Sequence, residues 1–251
     1  MALSRVRLIQ ESPPSVEGNI VRNELLLNLP QAESEFVLSQ LTFVQLRAYD
    51  VLQECEEPIK YFYFVDSGIV SILTIMQDGK SVEVGLSGKE GCVGLQLAAG
   101  FTTSDTRALV QIAGGAFRVS APALLKILPR CPVLAKRIQQ YGLFLAMQGS
   151  QVAACNRLHD VEERMARWLL MSQDRVGGDD IPLTHEFLAH MLGTRRSSVT
   201  VAAGLLSKAG LITYNRGIVK IEDRSRLEEA SCECYELLRR HTRTWKKEIT
   251  C

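Results

Sequence analysis

The sequence predicts an α+β chain of two domains: an N-terminal antiparallel β-barrel or sandwich, then a helical half ending in a helix-turn-helix with a β-wing. Three observations predict it. Between residues 42 and 120, runs rich in Val, Ile, Phe and Tyr ("FVQLRAYDVL", "YFYFVDSGIVSILTIM", "KSVEVGLSG", "TRALVQIAGGAFRVS") alternate with Gly, Asp and Ser, as in antiparallel strands and their turns. After Pro132 the apolar residues recur at steps of four and three, the period of a helix. Between Thr184 and Asp223, two capped helical segments flank a glycine, and two β-rich runs then flank "NRG".

The chain of 251 residues is long enough to bury two cores. At 46% hydrophobic and 23% charged it reads as globular. It has no run of about 18 apolar residues, so no transmembrane helix is expected. Its first residues lack the apolar centre of a signal peptide, so a cytoplasmic protein is expected. The net charge of +1 hides an asymmetry: nine basic against twelve acidic side chains between residues 19 and 130, but seven against three between 184 and 226. The basic segment favours a polyanion partner there.

The elements follow in order. Residues 1–18 are polar and proline-containing, and a flexible arm is expected. Asn23 to Leu41 has helical spacing of Leu and Phe. Residues 19–130 are then the β-barrel, with Asp66-Ser67-Gly68, Asp78-Gly79 and Gly114-Gly115 as turn signals and "MQDGKS" as a hairpin. Residues 131–158 are a long helix. Leu134, Ile138, Tyr141, Leu145, Gln148, Val152 and Cys155 form a heptad seam on it, expected to meet the same helix of a second chain in a homodimer. Packing on the chain's own barrel is the alternative. Residues 159–226 begin with a second helix, "LHDVEERMARWLLMSQDR", ended by two glycines. In the unit that follows, Thr184 is the expected N-cap of one helix and Thr194 of the next, with Gly193 between them. Residues 227–251 read as a C-terminal helix.

Chemistry concentrates in "GTRRSSVT". On the second helix of the unit, Val199, Ala202, Ala203 and Leu206 form the packed face, leaving Arg196, Ser197, Thr200, Val201 and Gly204 outside. Two arginines at a helix N-terminus, already the positive end of the dipole, repel unless an anion arrives. The pattern fits duplex DNA: Arg196 bonding guanine, Ser197, Ser198 and Thr200 reaching a base or phosphate, Val201 meeting a thymine methyl, and Arg195 and Arg216 clamping phosphate. Thr184, His185 and Thr194 complete the expected contact set.

From about Asn23 to Tyr235, with "YFYFVDSGIVSI", "GKEGCVG", "LTHEFLAHMLGTRRSSVT" and "AGLITYNRGIVKIED", the chain resembles the Crp/Fnr family of bacterial transcription regulators. The resemblance implies a cyclic-nucleotide-binding-like jelly roll, a dimer helix and a winged helix-turn-helix. It also implies a homodimer on a pseudo-palindromic operator, with RNA polymerase a possible partner. Members that bind cyclic AMP carry Gly-Glu and, after a loop, Arg-(Ser/Thr)-Ala. Here Leu95 follows Gly94 where the Glu belongs, and Thr106 takes the Arg position, with Arg107 one residue later and Ala108 after it. One step along a strand turns a side chain to the opposite face. Cyclic AMP is therefore not expected as ligand, and another effector or none is; Arg107 is the fallback phosphate ligand.

Other chemistries have less support. The seven cysteines, Cys55, Cys92, Cys131, Cys155, Cys232, Cys234 and Cys251, are scattered, with no CxxC. They are expected as buried thiols rather than a disulfide framework, with Cys232 and Cys234 as a redox-sensitive alternative. The first lies far from the N-terminus, against the iron–sulfur members of the family. All four histidines (His159, His185, His190, His241) lie beyond the barrel, against haem ligation or a cupin-type metal enzyme. Neither metal nor catalytic activity is expected. A winged helix that binds protein instead of DNA is the remaining alternative.

Overall fold

The computed structural model describes residues 13–250. The first twelve residues of the expected arm, and Cys251, lie outside the described residues. The rest of the arm enters a two-stranded ribbon, β1 (Ser15–Val16) and β2 (Asn19–Ile20), turned at Glu17-Gly18. The helix expected from Asn23 is shorter. Residues 24–28 are turns, and α1 spans Gln31–Leu38, beginning directly after Pro30. Proline disfavours helical geometry at the residue before it, so the apolar spacing across Leu29-Pro30 cannot form one helix. Asn23 is instead a buried tie: its Nδ2 donates to the carbonyls of Val65 (2.6 Å) and Gly91 (2.8 Å).

The barrel comprises β3 (Thr42–Leu46), β4 (Val51–Gln53), β5 (Tyr61–Ile75), β6 (Ser81–Ser87), β7 (Cys92–Val93), the short α2 (Leu95–Ala98) and β8 (Thr106–Ser120). The strand order is β3-β8-β5-β6, with β4 also on β8 and β7 also on β5, all antiparallel. The Asp78-Gly79 hairpin forms as expected, with Gly79 at φ +81°. Two other turn signals are not turns. Gly68 and Gly114 lie inside the 15-residue strands β5 and β8, where the pairing register shifts between Val65 and Val70. A Cβ on Gly114 would sit 2.1 Å from the Ser67 carbonyl oxygen. The glycines therefore let two long strands bend together at bulges, so that each serves both halves of the barrel.

After α3 (Ala121–Ile127) and a short 3-10 turn, α4 runs from Pro132 to Leu158. Its first N–H groups are capped from a distance: the Glu33 carboxylate accepts from Val133 and Leu134, each at 3.1 Å. The expected seam is buried within this chain. Leu134, Ile138, Tyr141 and Cys155 are at most 1% exposed, and Gln148 and Val152 are buried too. Tyr141 Oη donates to Ser87 Oγ at 2.9 Å, and a side chain at Gly91 would overlap its ring. Leu145 lies over Gly85, and the one polar seam member, Gln148, accepts from the Leu86 N–H of β6 at 2.7 Å. The seam thus faces the chain's own barrel, apart from Cys155, which packs on Cys232 and Cys234, and a second chain has no access to it.

The helical half continues with α5 (Val161–Val176), opened by a capping box of Asp160 and Glu163 and closed by Gly177 at φ +74°. Then come β9 (Asp180–Pro182), α6 (His185–Met191), α7 (Arg196–Lys208), β10 (Ile212–Asn215) and β11 (Ile218–Ile221). β9 joins β11, making the wing three-stranded. One apolar cluster runs from Ile69, Leu73, Leu86 and Ile112 of the barrel through Trp168 and Leu169 to Leu188, Val199 and Leu206. The helix-turn-helix is therefore docked on the barrel. The C-terminal segment is two helices, not one: α8 (Arg224–Glu229) and α9 (Cys234–Thr250). The break at residues 230–233 turns α9 back along α4, where Trp245 stacks on Phe144 (centroids 5.5 Å apart) and lies against Tyr141. Among the described residues, no helix is long and apolar enough to cross a membrane.

Candidate nucleic-acid interface

The helix-turn-helix is built from local signals. Thr184 Oγ1 accepts from the Phe187 N–H at 3.2 Å and caps α6. Gly193 turns the chain at φ +56°, and a Cβ there would approach Val82 of β6 to 2.9 Å, so both conformation and packing require glycine. The N-cap of α7 is Arg195, without a side-chain cap bond, not Thr194 as expected. Thr194 is one residue too early; its N–H is spent on the Ala189 carbonyl. The first turn of α7 thus keeps uncapped N–H groups, a site with anion affinity.

Val199, Ala202, Ala203 and Leu206 are buried, while Arg195, Arg196, Ser197, Thr200, Val201 and Gly204 are exposed and Ser198 is half-buried. Arg196 lies 3.8 Å from Glu186 in an exposed ion pair, an arrangement worth little in water and readily exchanged for another anion. Thr200 Oγ1 donates to the Arg196 carbonyl (3.0 Å) and meets His185 Nδ1 (3.2 Å), so its hydroxyl serves the protein. The His185 ring lies on Tyr214 of β10, 4.3 Å between centroids. Burial, and then Arg196, lower the His185 pKa, which favours the neutral ring. The wing turns at Arg216-Gly217, with φ of +48° and +82°, the double positive φ of a type I′ turn. An open cleft of about 860 Å³ separates α6 and α7 from the β5–β6 hairpin, with Lys80, Arg195 and Arg196 along it.

The expected effector residues are not gathered into a phosphate site. Thr106 pairs with Thr74 and Arg107 with Leu73, so the two occupy opposite faces of β8. Ala108, on the face of Thr106, is buried in the interior cluster with Val70, Val93 and Val110. Arg107 turns away to Glu54, with Nε at 2.9 and 3.0 Å and Nη2 at 2.9 Å from its oxygens. That hydrogen bond lowers the Glu54 pKa. Gly94 (φ +97°) and Leu95 start α2, and Leu95 packs into the apolar cluster beneath α4.

Two polar features escaped sequence reasoning. Glu83 on β6 is buried, accepts from Trp168 Nε1 (3.0 Å) and lies 2.7 Å from Ser71 Oγ. Burial pushes its pKa up to about 7. The second is a cluster of Cys155, His159, Cys232 and Cys234. A hydrogen bond with Cys232 lowers the pKa of the Cys155 thiol, while the same contact and burial raise that of Cys232. Only "CEC" and the four-residue step from Cys155 to His159 signalled it.

The fold is a barrel, a long helix packed on it and a winged helix-turn-helix docked on the barrel. Residues 163–230 match the Crp-like helix-turn-helix domain family. The fold is similar to FixK2 from Bradyrhizobium japonicum, at 19% identity, covering 76% of this chain and 98% of that one with a TM-score of 0.65. It is also similar to the c-di-GMP responsive regulator CLP from Xanthomonas campestris (18% identity, 77% and 100% covered, TM-score 0.63). TTHA1359, a CRP/FNR-family regulator from Thermus thermophilus, shares 21% identity (76% and 98% covered, TM-score 0.57). No curated protein matches the sequence. The chain carries a Crp-like helix-turn-helix domain and has the fold of Crp/Fnr transcription regulators.

Proposed function

We propose that the protein is a DNA-binding transcription regulator that reads a pseudo-palindromic operator as a homodimer. The observation that carries this reading is the division of α7: a buried apolar face, and an exposed face opening with Arg195, Arg196 and Ser197 at an uncapped N-terminus. In this geometry Arg196 exchanges Glu186 for guanine, while Arg195 and Arg216 take phosphates. Arg216 holds a positive φ that a non-glycine residue adopts at a cost, which supports a role for its placement at the wing tip.

The dimer forms through the other stripe of α4. Leu143, Met147, Ser150, Ala154 and Leu158 recur at steps of four and three, all exposed, with Leu143 at 66% and Leu158 at 74%. A parallel pair of these helices sets half-sites about 10 bp apart. Arg107, held by Glu54 on the outer face, supports a sensor that takes an effector other than cyclic AMP, or none.

Selection of fragments from random DNA by the purified protein, at about physiological salt, tests this reading. A recurring palindrome whose affinity falls steeply with salt is expected. No enrichment with or without cyclic AMP would favour a protein partner for the wing unit.

A further inference from the structure

Cys155 and His159 are four residues apart on α4 and share one helix face at its C-terminal end. Cys232 lies in the break before α9 and Cys234 opens α9, with Glu233 between them. The fold brings these segments together across 77 residues of chain: Cys155 Sγ lies 3.5 Å from Cys232 Sγ, and Cys234 Sγ 3.6 Å from His159 Nδ1. All four ligand atoms lie within 4.8 Å of one another. A tetrahedral zinc ion with Zn–S of about 2.3 Å and Zn–N of about 2.0 Å sets its ligand atoms roughly 3.5–3.8 Å apart. An iron–sulfur cluster spreads its thiolates over several metal atoms and needs a wider cage.

The surroundings match a metal site in two further respects. His159 Nε2 lies 3.0 Å from the Glu233 carboxylate. That contact keeps the ring proton on Nε2 and turns the Nδ1 lone pair toward the thiols, the usual support of a metal-bound imidazole. Arg164 and Arg167, both buried beside the cluster, make no ion pair with a carboxylate among the described residues, and the Nε of each is unpartnered. Buried guanidinium groups require counter-charge. Three thiolates and a neutral imidazole around a divalent ion carry a net single negative charge, which offsets one of the two guanidinium charges, while Glu83 acts on Arg167.

We propose that Cys155, His159, Cys232 and Cys234 form a mononuclear zinc site of the Cys3His type. Binding displaces the thiol protons that the cluster still holds and forms three Zn–S bonds and one Zn–N bond, with no change of oxidation state. The ion joins the two ends of the segment that contains the whole helix-turn-helix, and it fixes where α9 starts back along α4. Metal loss frees that end of α9.

The test uses the full chain purified under reducing conditions without chelator. Elemental analysis is expected to find one zinc per chain. After removal of the metal, cobalt(II) titration is expected to give tetrahedral ligand-field bands and thiolate-to-cobalt charge transfer, saturating at one equivalent and bleached by zinc. Cys234→Ser is expected to cut the charge-transfer intensity by about a third, since two thiolates remain of the three that bind the ion. Glu233 is exposed, so Glu233→Gln is expected to fold normally and weaken cobalt binding by about 10- to 100-fold with the bands retained. Chelation is expected to speed amide exchange in the first turns of α9. Metal-free protein that takes up no cobalt would overturn the site, as would iron with acid-labile sulfide, a Cys155–Cys232 disulfide in protein isolated in parallel without reductant, or cobalt bands that Cys234→Ser leaves unchanged.

Discussion

Leu143→Glu tests the proposed dimer apart from the fold. Leu143 is 66% exposed on α4 and contributes little to this chain's core, whereas Tyr141, two residues away, is wholly buried. In a two-fold pair of α4 helices, Leu143 meets its own copy. Full burial of a leucine is worth about 1.5–3 kcal/mol, so burying its exposed two-thirds contributes about 1–2 kcal/mol per chain and about 2–4 kcal/mol per dimer. Glutamate removes this and sets two carboxylates against each other. The dimer dissociation constant is expected to rise about 30- to 1,000-fold. Sedimentation equilibrium over a concentration series measures it, with thermal melting of the monomer as the control for folding. An unchanged dissociation constant with an intact fold would refute α4 as the dimer element.

Arg196→Ala is expected to weaken specific DNA binding by about 1–3 kcal/mol and to relax one base position per half-site; competition with operator variants reads this, and unchanged selectivity would remove Arg196 from the reading face. Glu83 binds its proton more tightly in the folded chain, at about 7 against 4.5 ordinarily, so its contribution to stability falls as pH rises through that window. Glu83→Gln is expected to flatten the melting temperature between pH 5 and pH 8, roughly the span of that titration, and parallel curves for the two proteins would contradict it. Because Arg107 is engaged by Glu54, calorimetry is expected to show no cyclic AMP binding in either the native protein or Arg107→Ala. Trp245→Ala is expected to cost about 3–5 kcal/mol by stripping the aromatic stack from α4, seen as a lower melting temperature with α9 released.

Much of this was legible in the sequence because it is local. The cap at Thr184, the turns at Gly79, Gly193 and Gly217 and the two faces of α7 are set by residues within a few positions of one another, where backbone geometry and periodicity act directly. Sequence alone could not say what a stripe packs against. Helix α4 has two apolar stripes of nearly equal period, and only the barrel, closing on Tyr141 through Gly91 and on Leu145 through Gly85, decided that the one through Leu134 and Ile138 lies inside. Likewise, "SG" at Gly68 has the composition of a turn, but its role as a bulge depends on Gly114 crossing it from 46 residues away. The pairing of Arg107 with Glu54, and of Cys155 and His159 with Cys232 and Cys234, are also contacts between distant segments. Their partners are chosen by the combined packing of every element between them, a quantity no window of sequence contains.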